Sequence, residues 1–274
     1  MYCSPFTQLA CPIDHTPLQR LQRQWQCQKG HSFDIARQGH VNLLPVQFKR
    51  AKDPGDSKAM VAARQRFHQG NFYAPIVAAL DNIFRSFETL NCLDAGCGEG
   101  YYLRALAQRH PHKLSLVGVD ISKWAVRAAA QQSKHTTWVV GTNARLPLQR
   151  HSVDVVLCCF GFPVYEEFHR VLKPGGYLIM VDPTAAHLQE LKALLYPNIR
   201  PPRAQQLTTA FFTLESEQVV TEAFHLSEPE LIHALLQMTP HAFRAPLEHR
   251  EAVLALDHLS TQLAVKVRIL RPTA

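Results

Sequence analysis

The stretch Leu93-Asp94-Ala95-Gly96-Cys97-Gly98-Glu99-Gly100 constrains this chain more than any other. A short apolar run, Cys92–Ala95, ends in three spaced glycines, and a helical pattern follows from Tyr101 to Gln108. Glycines at a strand-to-helix turn let the backbone bend tightly and approach a ligand with no side chain in the way. Their spacing is G-x-G-x-G, with Tyr101 where a dinucleotide cradle wants its third glycine. That argues against a pyrophosphate ligand and suits a nucleoside. Asp120 ends the next apolar run, Leu114–Asp120, and a carboxylate there accepts ribose hydroxyls. Strand and helix patterns keep alternating: Lys123–Gln132 and Val164–Leu172 and Ala186–Leu195 as helices, Thr137–Val140, Val153–Phe160 and Tyr177–Val181 as strands. Such alternation predicts an α/β fold, Rossmann-like, with a mostly parallel doubly wound sheet. Residues 196–216 are rich in Pro, Gln and Thr and read as a loop or lid; 217–271 return to strand, helix and strand, with a final antiparallel pair.

Upstream of that pattern the chain changes character. Cys11-Pro12-Ile13-Asp14 and Cys27-Gln28-Lys29-Gly30-His31 are two short pairs of ligand-type residues separated by 12 residues. Pairs at this spacing let two knuckles present four donors tetrahedrally. A segment of about 35 residues builds little core, so a metal staple is physically sensible. Residues 1–36 therefore read as a small zinc-ribbon-like module, with Cys11, Asp14, Cys27 and His31 as candidate zinc ligands; the chain's net basic charge makes it a candidate RNA-binding module as well. Asp14 stands where a zinc ribbon normally has cysteine; a carboxylate is the harder ligand, and neighbouring His15 is an alternative donor for that position. Residues 37–90 read as a basic linker followed by helices over about 58–70 and 74–88, and 91–274 as the catalytic domain. In the linker, Arg37, His40, Lys49, Arg50 and Lys52 are interleaved with Phe48, a pattern that neutralises phosphates. Arg64 and Arg66 read as solvent-facing helix residues.

Composition narrows the partners. Lys plus Arg number 29 and Asp plus Glu 22, a net charge of +7, which favours a polyanion. The cysteines number seven, an odd count, and four fall in core-like strands or the glycine loop. A disulfide framework is not expected, and a reducing cytoplasm is. No apolar run is long enough to span a membrane, and Met1–Pro12 lacks the features of a signal peptide.

The glycine loop, Asp120 and a later Leu172-Lys173-Pro174-Gly175-Gly176 turn together resemble the class I S-adenosylmethionine-dependent methyltransferases. In those enzymes the residues after the third strand touch the adenine, and here they include Asn143 and Ala144. More specific stretches are His31–Arg37 with Val41–Gln47, Lys52-Asp53-Pro54-Gly55-Asp56, Ala63-Arg64 to Phe72-Tyr73, His187-Leu188 to Leu195-Tyr196, and Gln237–Pro240. From Cys11 to the C-terminus the chain is similar to the bacterial 23S rRNA (guanine-N1)-methyltransferases. The resemblance implies S-adenosylmethionine and zinc as cofactors and a guanine in a 23S rRNA hairpin as target, and leaves a homodimer open. It places Tyr73, Gly98, Glu99 and His187 at cofactor contacts, beside Asp94, Gly96, Gly100 and Asp120 of the loop and its partner strand. Cys158–Pro163 carry no Asn/Asp-Pro-Pro-aromatic motif, so likeness to enzymes of exocyclic amines is poor. Phe160, Phe162 and Tyr165 are candidates to stack on a base. Asp182 and Glu166 are the candidate proton acceptors for guanine N1, and neither is assigned as the base. The competing readings are a methyltransferase of a small metabolite, which needs neither module nor basic arm; a nicotinamide dehydrogenase, which the glycine spacing disfavours; and an inactive RNA-binding module, which the intact loop disfavours.

Overall fold

The structure is a computed structural model that describes residues 3–49, 51–111, 113–199 and 210–273. The chain begins with β1 (Ser4–Pro5), then β2 (Leu18–Leu21), β3 (Gln24–Cys27) and β4 (Ser32–Asp34), which form a small antiparallel sheet of their own. β5 (His40–Asn42) and a 3-10 turn at Val46–Phe48 follow, then α1 (Lys58–Gln69) and α2 (Ala74–Phe84). The alternating region runs β6 (Leu90–Ala95), α3 (Tyr101–Arg109), β7 (Leu114–Asp120), α4 (Lys123–Gln132), β8 (Thr137–Val140), β9 (Val153–Cys159), α5 (Tyr165–Val171), β10 (Leu172–Pro183) and α6 (Gln189–Leu195). The chain closes with β11 (Phe212–Leu226), α7 (Pro229–Gln237), α8 (His241–Arg244), α9 (Leu247–Leu254) and β12 (Leu259–Pro272).

Among the described residues the main sheet has the order β11-β12-β10-β9-β6-β7-β8-β5, with β1 also paired to β7. All pairings from β10 to β5 are parallel, and β12 pairs antiparallel with both β10 and β11. The central strands are apolar on both faces because helices cover both; Leu116, Val117 and Val119 of β7 are wholly buried. Helix starts are set by local chemistry. Ser57 and Ser122 cap α1 and α4, their hydroxyls accepting from the backbone N–H of Met60 and Ala125. α3 starts at Gly100, whose φ of +82° is left-handed. A Cβ there would meet the Trp138 ring at 2.5 Å, so this glycine is required by close packing of helix on sheet.

Three expectations change. The stretch read as a basic linker contributes an edge strand: His40–Asn42 pair in parallel with Trp138–Val140. The N-terminal module does not stand apart. Phe6, Leu9, Leu18 and Trp25 belong to one buried cluster with Val117, Val139 and Leu148 of the catalytic sheet, and Leu9 bridges Leu148. Thirty-odd residues gain a core by sharing their neighbour's. Of the loop or lid read over 196–216, residues 200–209 lie outside the described residues, and Phe212 onward is already β11. The candidate RNA contact Arg50 also lies outside them.

Candidate active site

The chain leaves β6 towards β7 on one side, and β9 packs on the other. This reversal opens a crevice at the carboxyl ends of β6 and β9, the place where open α/β sheets take ligands. The Gly96–Gly100 loop, Asp120, the Gly141–Ala144 turn and the Phe160–Pro163 turn converge there. A Cβ on Gly96 would reach to 3.9 Å from the Gly161 Cα, so the loop and the turn after β9 stand close together. Gly96 and Gly98 both have positive φ, +92° and +54°, which favours glycine.

Charge in the crevice is unusually uncompensated. Asp94 is 1% exposed, and neither carboxylate oxygen has a hydrogen-bond partner among the described residues. Burial, with the Asp120 charge adding to it, pushes its pKa up to about 8. Asp120 is fixed from two sides, one oxygen accepting from Ser122 N–H at 2.7 Å and the other from Gly98 N–H at 2.9 Å. A carboxylate has lone pairs to spare beyond those two, so it still offers acceptors to a ribose. Opposite lies Arg64. It donates to Asp56 at 2.6 Å and to the Met238 carbonyl at 3.2 Å, while its buried Nε has no partner among the described residues. Its Cδ lies 3.8 Å from where a Gly98 Cβ would stand. An orphaned carboxylate and an orphaned guanidinium N–H facing one glycine loop fit the ammonium and carboxylate of an amino-acid moiety, as S-adenosylmethionine carries.

The far wall is neutral. Tyr73 is buried and its ring stacks on Phe160 at 5.8 Å; Phe160 in turn packs on His187 at 5.7 Å. His187 Nδ1 accepts from Ala264 N–H at 3.3 Å, which leaves the ring proton on Nε2, 3.3 Å from the Tyr73 hydroxyl. Burial drives His187 down to a pKa of about 3 and raises the Tyr73 phenol. Both are uncharged at neutral pH, and the wall they form is suited to excluding water.

At the other end of the chain, Cys11, Asp14, Cys27 and His31 bring one donor atom each within 4.8 Å of one another. His31 Nδ1 lies 3.5 Å from Cys11 Sγ, 3.4 Å from Cys27 Sγ and 3.3 Å from Asp14 Oδ2; Cys27 Sγ is 3.6 Å from the same Asp14 oxygen. A tetrahedral zinc ion with bonds of about 2.0–2.3 Å spaces its donors roughly 3.3–3.8 Å apart. Asp14 suits the fourth position because its other oxygen is anchored, accepting from the Thr16 hydroxyl at 2.6 Å and Thr16 N–H at 3.0 Å. The Thr16 hydroxyl also holds this carboxyl well below the usual carboxylate range. Such support orients a ligand towards its metal. The donor set fits zinc.

Comparison with known proteins agrees with both halves. The zinc-ribbon family described as RlmA, N-terminal, matches residues 9–52, and a methyltransferase-domain family matches residues 92–176. A Streptomyces fradiae 23S rRNA (guanine(748)-N1)-methyltransferase is 34% identical over 223 residues, 78% of each chain. A Bacillus subtilis protein described as a candidate 23S rRNA (guanine-N1)-methyltransferase is 33% identical over 254 residues, 89% of this chain and 88% of its own. The chain belongs to the 23S rRNA (guanine-N1)-methyltransferase family. A Marinomonas malonyl-[acyl-carrier protein] O-methyltransferase is 32% identical but covers only 58% of the chain. As a family member the chain is an S-adenosylmethionine-dependent methyltransferase, and the crevice described above is where its residues fit that cofactor.

Within this 23S rRNA methyltransferase fold, the site residues read from sequence part company. Asp94, Gly96, Gly98, Asp120, Tyr73 and His187 gather at the crevice. Glu99 is in the loop, but its carboxylate turns away, bound to His68 Nδ1 and Arg104 at 2.8 Å each. Gly100 serves Trp138 packing. Asn143 spends its Nδ2 on the Phe162 carbonyl at 3.2 Å, and Ala144 is exposed. Arg64, read as solvent-facing, is drawn into the crevice; its alternation with buried Val61, Phe67 and His68 on α1 was the available signal. His40 does not offer charge to RNA: its Nδ1 is buried and burial lowers its pKa. Asp182 is held by Arg268 at 3.3 Å and Glu166 is exposed, so neither is assigned as a base.

Proposed function

We propose that this protein transfers a methyl group to N1 of an unpaired guanine in a 23S rRNA hairpin. The observation that carries the reading is the extent of the likeness: the zinc-ribbon family matches residues 9–52, and the Bacillus subtilis rRNA relative matches 89% of the chain. The acyl-carrier-protein enzyme shares 58% of the chain, and a small substrate needs no metal-stapled module. S-adenosylmethionine, when bound, supplies the electrophilic methyl carbon. Asp94 would hold its ammonium, Arg64 its carboxylate and Asp120 its ribose hydroxyls. Tyr73, Phe160 and His187 keep water from the reacting atoms. Paired guanine hides N1, so the base must come from a loop or leave its stack.

The RNA surface in this reading runs from the zinc module to the crevice mouth. Arg145 follows the Asn143 turn, donates to His15 of the module and lies 5.1 Å over the Phe48 ring. Exposed Arg37 and Lys52 and half-buried Lys49 extend the basic face. Nucleoside analysis of 23S rRNA fragments incubated with protein and S-adenosylmethionine tests the reading; N1-methylguanosine supports it, and any other methylated product refutes it.

A further inference from the structure

Phe162 is 86% exposed, more than any other large apolar side chain described. Lone exposed apolar residues are common, so its place in the fold has to supply the meaning. It sits in the turn after β9, which packs against the glycine loop: a Cβ on Gly161 would fall 3.1 Å from the Ala95 carbonyl. The turn is built to point two aromatics in opposite senses. Phe160 has a φ of +53°, a strained value for a bulky residue, and its ring turns inward onto Tyr73 and His187. Phe162, two residues on, turns outward. Its backbone carbonyl accepts from Asn143 Nδ2 at 3.2 Å, so the backbone that carries the outward ring is tied to the Gly141–Ala144 turn at the crevice mouth.

The other aromatic candidates are committed elsewhere. Phe160 is part of the inner wall. Tyr165 directs its hydroxyl to Met180 Sδ at 3.8 Å and packs on Phe212 at 6.0 Å. Phe162 alone among the three presents a free π-face beside the site of chemistry. A guanine brought out of its stack needs such a face to replace the neighbours it lost.

We propose that Phe162 is the platform on which the target guanine stacks while its N1 edge enters the crevice, an inference that rests on the 23S rRNA reading above. Two variants and a hairpin fragment of 23S rRNA test it. Phe162→Ala lowers kcat/KM for the hairpin by roughly 5- to 150-fold, the range of one lost base–aromatic stack. Calorimetric affinity for S-adenosylmethionine and the melting temperature stay at wild-type values. Phe162→Trp retains turnover. After subtraction of the signal from Trp25, Trp124 and Trp138, its emission is quenched by the hairpin and not by the same hairpin with an abasic target position. Wild-type kcat/KM in Phe162→Ala, or equal quenching by the abasic hairpin, overturns the platform. Wild-type protein that leaves the hairpin unmethylated overturns the 23S rRNA reading itself, and the platform with it.

Discussion

Asp94 is a buried acid with no hydrogen-bond partner among the described residues, and in the proposed reading the cofactor supplies one. In the folded chain its pKa is about 8, whereas an unfolded aspartate ionises near 3.9. Between those values the folded state holds a proton that the unfolded state has lost, so this group's contribution to stability falls as pH rises from about 4 to about 8. A cationic ligand reverses the preference and expels the proton. Affinity for S-adenosylmethionine should therefore rise with pH, by up to about tenfold per unit, and level off above about pH 8. Calorimetry in two buffers of different ionisation enthalpy checks it: apparent binding enthalpies differ for wild type near pH 7 and coincide for Asp94→Asn. Coincident values for wild type would show that Asp94 does not face the cation. At this scale the sequence was most legible where backbone geometry was at stake. Gly96 and Gly98 were recognisable because their spacing follows the turn itself. Gly100 and Glu99 looked equivalent to them in the string, yet Trp138, 38 residues after Gly100, and His68, 31 residues before Glu99, decide their roles. For Arg64 the helix spacing of Val61, Phe67 and His68 hints at an inward face, but only the fold brings Gly98 and Met238 to it.

The zinc module is the element whose independence the structure alters. Its ligand pairs were legible because two knuckles must be close in sequence, and the resemblance extended them. Its shared core was not legible, since Leu9 meets Leu148 only after the sheet forms. Metal loss should accordingly reach beyond residues 1–36. Cys27→Ser, or treatment with a chelator, lowers the melting temperature of a single transition that includes the catalytic sheet, and hydrogen exchange rises in β7 and β8 as well as in β2–β4. Asp14→Cys exchanges a hard donor for a soft one and slows zinc loss to chelator. A chelated protein with an unchanged catalytic-domain melt would mean that the module packs without its metal. The β5 edge strand teaches a related lesson: three residues between prolines and basic side chains carry too little periodicity to announce a strand, and pairing with β8 supplies the missing information.

For the whole molecule, the net charge of +7 and the basic face from Arg37 to Lys52 make RNA affinity salt-dependent. Replacing Lys49 and Lys52 with Ala lowers the slope of log affinity against log salt by roughly one to two units, with cofactor affinity unchanged; an unaltered slope removes these residues from the interface. The parallel core of the doubly wound sheet was legible because apolar runs and helical periodicity alternate along it, and Leu114–Asp120, Lys123–Gln132 and Thr137–Val140 have the predicted bounds. That sheet, the zinc module and the proposed RNA surface serve one act, methylation of a guanine N1 in 23S rRNA. A methyl at N1 blocks base pairing and halts reverse transcriptase. Primer extension along 23S rRNA from cells with and without this protein tests the claim most directly. A stop at one guanine should disappear when the protein is removed and return with wild type, but not with Asp94→Asn; identical extension profiles in the two strains would rule out N1 methylation of 23S rRNA by this protein.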